Sequence, residues 1–172
     1  FAGIEEEVNY QREGLQQMAY EKNCVVDEQS HDESEALALR LQNFSASGSP
    51  FLRCKISLKP ADVGKFCAEL ESMSKMRETP VRILAHAGIG VIHCAFEDSP
   101  GSDEQILGLA DWIRVQATQT QGYAVIEQIS PALKQRANVW GSVGKAFPLM
   151  RRLKDTFDPK GILNPGRFVG GL

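Results

Sequence analysis

The chain has 172 residues, enough to bury a core without disulfide or metal staples. Its formal net charge of −3 argues against a nucleic-acid binder as a whole and leaves only local basic patches to consider. At 42% apolar and 24% charged residues it has the make-up of a globular protein, and the longest apolar run, 83–96, holds two histidines and is too short to cross a bilayer.

The chain starts without methionine, which reads as a fragment of a longer protein, and Phe1-Ala2-Gly3 reads as the end of a strand begun upstream. No signal-peptide pattern is visible there. Residues 4–21 predict a helix with Ile4, Val8, Leu15 and Met18 on a rough stripe and Glu5, Glu6 and Glu7 at its favourable N-terminal end. Residues 24–27 read as a short strand, 34–44 as a second helix and 45–50 (Ser-Ala-Ser-Gly-Ser-Pro) as a loop.

The period then switches to two. Leu52, Cys54, Ile56 and Leu58 alternate with Arg53, Lys55 and Ser57, the pattern of a half-buried strand. Pro60 opens a helix with Val63, Phe66, Cys67, Leu70 and Met73 on one face. Residues 81–86 and 91–96 form a hairpin, and Ser102 with Gln105 makes a capping box before a helix whose inner face is Ile106, Leu109, Ala110, Ile113 and Ala117. A strand at 123–128 closes the pattern and a last helix spans 145–155. The order β-α-β-β-α-β predicts an α+β, ferredoxin-like antiparallel sheet with helices on one face and extra terminal helices. The whole is read as one domain, with its core at 51–128 and its C-terminal helix and tail at 145–172.

Cys24, Cys54, Cys67 and Cys94 have neither C-x-x-C nor zinc-finger spacing. Three lie in apolar-patterned segments, so they read as buried reduced thiols and point to a cytosolic protein.

In the hairpin, Ile89-Gly90 as central turn residues would set 88 opposite 91 and His86 directly opposite His93, with Cβ atoms roughly 5 Å apart. That register puts Ile83, Ala85, Cys94 and Phe96 on the helix-covered face, whereas a one-residue slip would mix the faces. Arg53, Lys55, Arg82, His86 and His93 then share the open face. Such a cationic face suits a carboxylate ligand, since arginine binds one bidentately; it is equally the solvated side of an antiparallel sheet.

The tail is dense in turn chemistry. Phe157-Asp158-Pro159-Lys160-Gly161-Ile162-Leu163-Asn164-Pro165-Gly166-Arg167-Phe168 excludes helix and central strand. Asp158-Pro159 stops the preceding helix, and Asn164-Pro165-Gly166 sets Arg167 and Phe168 on a fixed path. By local chemistry alone this is a C-terminal cap packing on its own domain.

The string F-D-P-x-G-I-L-N-P-G-R resembles the C-terminal signature of FAD-linked oxidases of the vanillyl-alcohol oxidase/PCMH type. With Trp140-Gly141 it is most similar to the E-subunit type of glycolate oxidase. Ala85-His86-Ala87-Gly88-Ile89-Gly90-Val91-Ile92-His93 resembles the G-H-x-G-D-G-N-x-H segment of two-hydroxy-acid dehydrogenases in that superfamily, with Ile89 and Val91 in place of Asp and Asn. The resemblance implies a divalent metal on His86, His93 and Glu127, the last matching the glutamate of an E-H-G-I-G motif. Gln128 stands where that motif has the histidine that resembles a catalytic base. No glycine-rich phosphate cradle is present.

The resemblance therefore implies a C-terminal cap or substrate domain, inactive by itself, whose FAD is bound mainly by an upstream domain of the same polypeptide. Arg53, Lys55, Arg82, His86 and His93 would face a small 2-hydroxy acid, and Asn164, Pro165, Gly166 and Arg167 would contact the flavin domain. Implied partners are a catalytic flavin subunit and an iron–sulfur subunit, in a cytoplasmic complex associated with the inner face of the membrane. Two other expectations compete: a non-catalytic module that holds such a complex together, and a stand-alone ferredoxin-like ligand-binding domain.

Overall fold

The computed structural model describes residues 3–45, 48–97 and 101–172. Phe1 and Ala2, where a strand end was expected, and Ala46-Ser47 of the expected 45–50 loop lie outside the described residues. The chain divides into two compact units, residues 1–43 and 44–172.

The first unit holds α1 (Glu5–Glu21) and α2 (His31–Gln42). Glu5, Glu6 and Glu7 occupy the first turn of α1, as the sequence predicts. Helix α2 begins earlier than expected because Ser30 accepts from the Glu33 amide while Glu33 reaches back to the Ser30 amide, a complete capping box. The strand expected at 24–27 does not form. Val25 is 99% exposed, no strand among the described residues lies alongside, and the Cys24 amide instead donates back to the Ala19 carbonyl at 2.8 Å. Neither helix of this unit buries a residue.

The second unit follows the predicted order. It runs β1 (Leu52–Ser57), α3 (Val63–Met76), β2 (Val81–His86), β3 (Val91–Phe96), α4 (Asp103–Gln119), β4 (Tyr123–Ile129), α5 (Pro131–Lys134) and α6 (Phe147–Phe157). The four strands form one antiparallel sheet in the order β2-β3-β1-β4, the ferredoxin-like arrangement. Leu52, Cys54 and Ile56 of β1, Ile92, Cys94 and Phe96 of β3, and Ala124 and Ile126 of β4 form one cluster with Val63, Phe66, Leu70 and Met73 of α3 and Leu109, Ala110, Ile113 and Ala117 of α4. Each fully buried Leu, Ile or Phe contributes about 1.5–3 kcal/mol relative to exposure, so this cluster fixes which side of every strand faces inward. Helix α4 opens on the expected capping box of Ser102 and Gln105.

Cys54 and Cys94 lie opposite each other on the core side of β1 and β3, and both thiols are free and buried. The Cys94 thiol is pushed well above its ordinary value by its hydrogen bond with Cys54 and by burial, so it is a poor nucleophile. Cys67 is partly buried, and Cys24 is exposed.

Helix α6 starts at Phe147, because Pro148 is tolerated in a first turn that needs no N–H there. The short α5 was not read from the sequence. Its signal was Ser130-Pro131: the Ser130 hydroxyl accepts from the Leu133 amide, and Leu133 is buried. The following segment runs along the outer edge of β4, where the Ile126 amide donates to the Val139 carbonyl over 2.9 Å.

The hairpin differs from the expected register. His86 pairs with Val91 and Leu84 with His93, so the connection has four residues, not two. The chain turns through a 3₁₀ segment at Ala87–Ile89, and Gly90 follows at φ 72° with its amide on the Ala87 carbonyl. Gly90 also lies against β1's exit: the Leu58 amide donates to its carbonyl, and a Cβ at Gly90 would sit 2.0 Å from the Leu58 oxygen. The shift is two residues, so side-chain parity survives and both histidines remain on one face.

Gly90→Ala should therefore destabilise the unit by roughly 2–4 kcal/mol, from positive φ and the Leu58 clash together. Urea unfolding checks this, whereas Gly88→Ala, which meets nothing within 4 Å, should change little.

Candidate functional site

Strand parity decides what the uncovered face carries. On β1 it presents Arg53, Lys55 and Ser57; on β3, Val91, His93 and Ala95; on β2, Arg82, Leu84 and His86. All five expected residues thus share one face. The histidine rings stand edge-on with centroids 6.2 Å apart, diagonal neighbours instead of the directly opposed pair expected.

Strand β4 adds a feature through an irregularity. Cys54 pairs with Ile126 and Arg53 with Gln128, so Glu127 is an extra residue at a bulge. Its carboxylate passes over β1 to His93, with Oε2 3.2 Å from Nδ1. Both side chains are largely shielded, His93 at 17% and Glu127 at 30% exposure. A proton on Nδ1 is held by this carboxylate, which leaves Nε2 as the open nitrogen. Gln128 does something else: its Nε2 donates to the Pro50 carbonyl at 3.0 Å, tying down the segment that enters β1.

His86, His93 and Glu127 do not make a metal cage. Glu127 goes to His93, and the second ring stands edge-on at 6.2 Å. Among the described residues no group of three or more His, Cys, Asp or Glu side chains is set to hold a metal ion. The expected divalent metal finds no support in this geometry.

The two arginines are in opposite situations. Arg82 bonds Glu97 at 2.6 Å, and its guanidinium lies 5.1 Å from the Phe44 ring centroid. Arg53 is 7% exposed, its Nε is fully enclosed, and no hydrogen bond or ion pair reaches it among the described residues. A buried cation without a counter-charge costs several kcal/mol, even after relaxation.

The tail is organised by one carboxylate. Asp158, buried at the end of α6, accepts from the amides of Ile162 and Leu163, each at 2.9 Å, and from the Lys154 ammonium. Lys154 also donates to the Leu163 carbonyl. In sequence Asp158-Pro159 signals only a helix stop; the Asp158 carboxylate's bonds reach amides four and five residues on, beyond the two-residue span of an ordinary Asx turn, so no local signal marks them. From there the chain turns again at Asn164, whose carbonyl accepts from the Arg167 amide. Phe168 then packs on Trp140, ring centroids 5.5 Å apart. Asn164, Pro165, Gly166 and Arg167 are all exposed.

Between β4, the 131–140 segment and this tail lies a half-open cleft of about 1200 Å³. Lys55, Tyr123 and Glu127 reach it from the sheet, Lys134 from α5, Trp140 from the edge segment and Arg167 from the tail. Of the expected site residues it gathers Lys55, Glu127, Gly166 and Arg167. Arg53, Arg82 and the two histidines are not in its lining.

The fold is an α+β sandwich of one sheet and its helices, with a polar open face and an ordered C-terminal tail. Residues 135–168, from the end of α5 through α6 to Phe168, match the family described as FAD linked oxidases, C-terminal domain. That match supports a C-terminal domain of an FAD-linked oxidase, and with it FAD at the level of the family. No curated protein matches the chain. No described helix is long and apolar enough to cross a membrane.

The Lys154 ammonium beside Asp158, helped by the Leu163 and Ile162 amides, holds its carboxyl below the ordinary value. A depressed carboxyl stabilises the fold above its unfolded pKa and loses that contribution as pH falls. The tail turn should therefore be fully formed at neutral pH and loosen as pH drops below about 3.9. Asp158→Asn should loosen it at all pH values. Amide hydrogen exchange at Ile162 and Leu163, followed against pH in both proteins, checks this.

Proposed function

We propose that this chain is the substrate-facing cap domain of an FAD-linked oxidoreductase that oxidises a small 2-hydroxy acid, of glycolate oxidase type. Arg53 carries the proposal. A guanidinium this deeply shielded, with nothing paired to it among the described residues, is suited to receive a carboxylate, which would supply the missing counter-charge and fork-shaped hydrogen bonds. Lys55 and His93, paired with each other across β1 and β3, extend the same face. Arg82 is already committed to Glu97, so it contributes to the field more than to a direct bond.

Neither of the two helices packed on the sheet, α3 and α4, fits the flavin's pyrophosphate. A helix N-terminus with free amides is the usual cradle, but α4 begins with a filled capping box and the acids Asp103 and Glu104. Helix α3 is entered through Pro60 and has no glycine-rich approach. FAD is accordingly assigned to a domain upstream of this one in the same polypeptide, and no step is derived through it. The work left to this chain is binding and orientation: Arg53 takes the carboxylate, Glu127 fixes the tautomer and direction of His93, and the tail around Arg167 meets the flavin domain.

A second reading has its own observation. Gln128 stands where the two-hydroxy-acid dehydrogenases have a histidine, and its amide is engaged by the Pro50 carbonyl. On that reading the domain holds a catalytic flavin subunit and an iron–sulfur subunit together in a cytoplasmic complex without turning over substrate itself.

The readings separate on the FAD-loaded full-length protein. If Arg53 receives substrate, glycolate or lactate bleaches the flavin, and Arg53→Met raises the concentration needed on the order of 100-fold, the loss of a charge-assisted bond of about 1.5–3 kcal/mol. The same variant should keep or raise the melting temperature, because it removes an unpaired buried charge. Bleaching that is indifferent to Arg53, or a melting temperature lowered by the substitution, would sink the proposal; no bleaching in an active complex would favour the assembly reading.

A further inference from the structure

Arg53 is not in the lining of the cleft beside the tail, although its β4 partner Gln128 is. The cleft's charged lining consists of Lys55, Lys134 and Arg167 against one carboxylate, Glu127. Three cations against one carboxylate leave the lining with a positive balance. None of the three side chains has a hydrogen-bond or ion-pair partner among the described residues, whereas the nearby Arg136 lies on both Asp103 and Glu104. The cleft is thus an electropositive pocket on a chain whose net charge is −3.

Aromatic rings alternate with these cations. Tyr123 projects from β4 at 60% exposure, and Phe168 lies against Trp140 at 53% exposure. Large aromatic surface left open beside unpaired cations favours a flat ring that stacks and a negative group that pairs. The volume, about 1200 Å³ and half-open, admits a ligand of that size with room to spare.

The walls are held independently of any ligand. Strand β4 belongs to the sheet, the edge segment is pinned by the Ile126–Val139 bond and by buried Leu133, and the tail is fixed by Asp158. A preformed site loses little entropy on binding.

From this geometry we infer a second ligand site, in the cleft between β4 and the tail, for a planar aromatic anion: Lys134 and Arg167 take the carboxylate or phosphate, and Trp140, Phe168 and Tyr123 take the ring. The site borders the open face along Lys55, Glu127 and the β4 residues Tyr123, Val125 and Gln128 that pair with β1, and it goes beyond the assignment of Arg53 to a small hydroxy acid.

Titration of the 172-residue chain with benzoate, AMP, acetate and inorganic phosphate tests the inference, read by calorimetry and by quenching of tryptophan fluorescence. Trp112 on α4 lies outside the lining and gives a constant background. Benzoate or AMP should saturate with quenching, and acetate and phosphate should bind at least about tenfold more weakly. Preference for benzoate identifies a carboxylate ligand, and preference for AMP a phosphate. Lys134→Gln with Arg167→Gln should weaken the preferred probe, read by tryptophan quenching, at least about tenfold. Trp140 lies in the cleft lining and Arg53 does not, so quenching reports this site while flavin bleaching reports Arg53, and loss of the one reading is distinguishable from loss of the other. Both cations are exposed, and circular dichroism confirms that the double variant is folded. Absence of saturable binding by either aromatic probe, equal binding of the ringless anions, or binding indifferent to the double variant would each overturn the site.

Discussion

The pairing of β1 with β3 under α3 and α4 is the constraint on which the rest of this molecule depends. Leu52, Cys54 and Ile56 cannot leave the core without exposing their apolar surface together with that of Ile92, Cys94 and Phe96 across from them. Side chains alternate strictly along a strand, so this single requirement sends Arg53, Lys55 and His93 to the other side. The polar face needs no separate instruction. It is the complement of a one-sided core, and its chemistry comes from which polar residues occupy the intervening positions.

That complement is not uniformly solvated. Arg82 lies against Phe44 and Glu97, Gln128 bonds the Pro50 carbonyl, and Arg53 is shielded with no partner among the described residues. On the same face lie His86, His93 and Glu127, the last bonded to His93. The face therefore combines one enclosed cation with partly exposed polar groups.

The C-terminal tail follows a different logic. It has little apolar burial of its own, and what fixes its path is hydrogen bonding to Asp158, with backbone turns at Gly161, Asn164 and Gly166 in the left-handed region. A segment held by polar bonds and turn residues, with Ile162, Leu163 and Phe168 largely exposed, is shaped to present apolar groups outward. The family match includes this segment.

The sequence by itself determined the element order, the helix-covered faces and the membership of the open face, because those depend on local period, caps and parity. It also carried the tail's resemblance to FAD-linked oxidases, since turn residues at fixed spacing are a local code. Tertiary structure alone decided the rest. The hairpin closes with four residues and not two, because Gly90 must dock on Leu58, a contact between segments over thirty positions apart. Glu127 reaches His93 over an intervening strand because of a bulge that no alternation pattern signals. The short strand expected at 24–27 is missing because a strand needs a neighbour, and period alone does not supply one. Arg53 reads in sequence as an ordinary outward-facing residue; only the folded structure makes it a buried charge. Period and turn chemistry act between near neighbours, whereas register, bulges and burial are set by contacts between distant segments, which the chain acquires only when it folds.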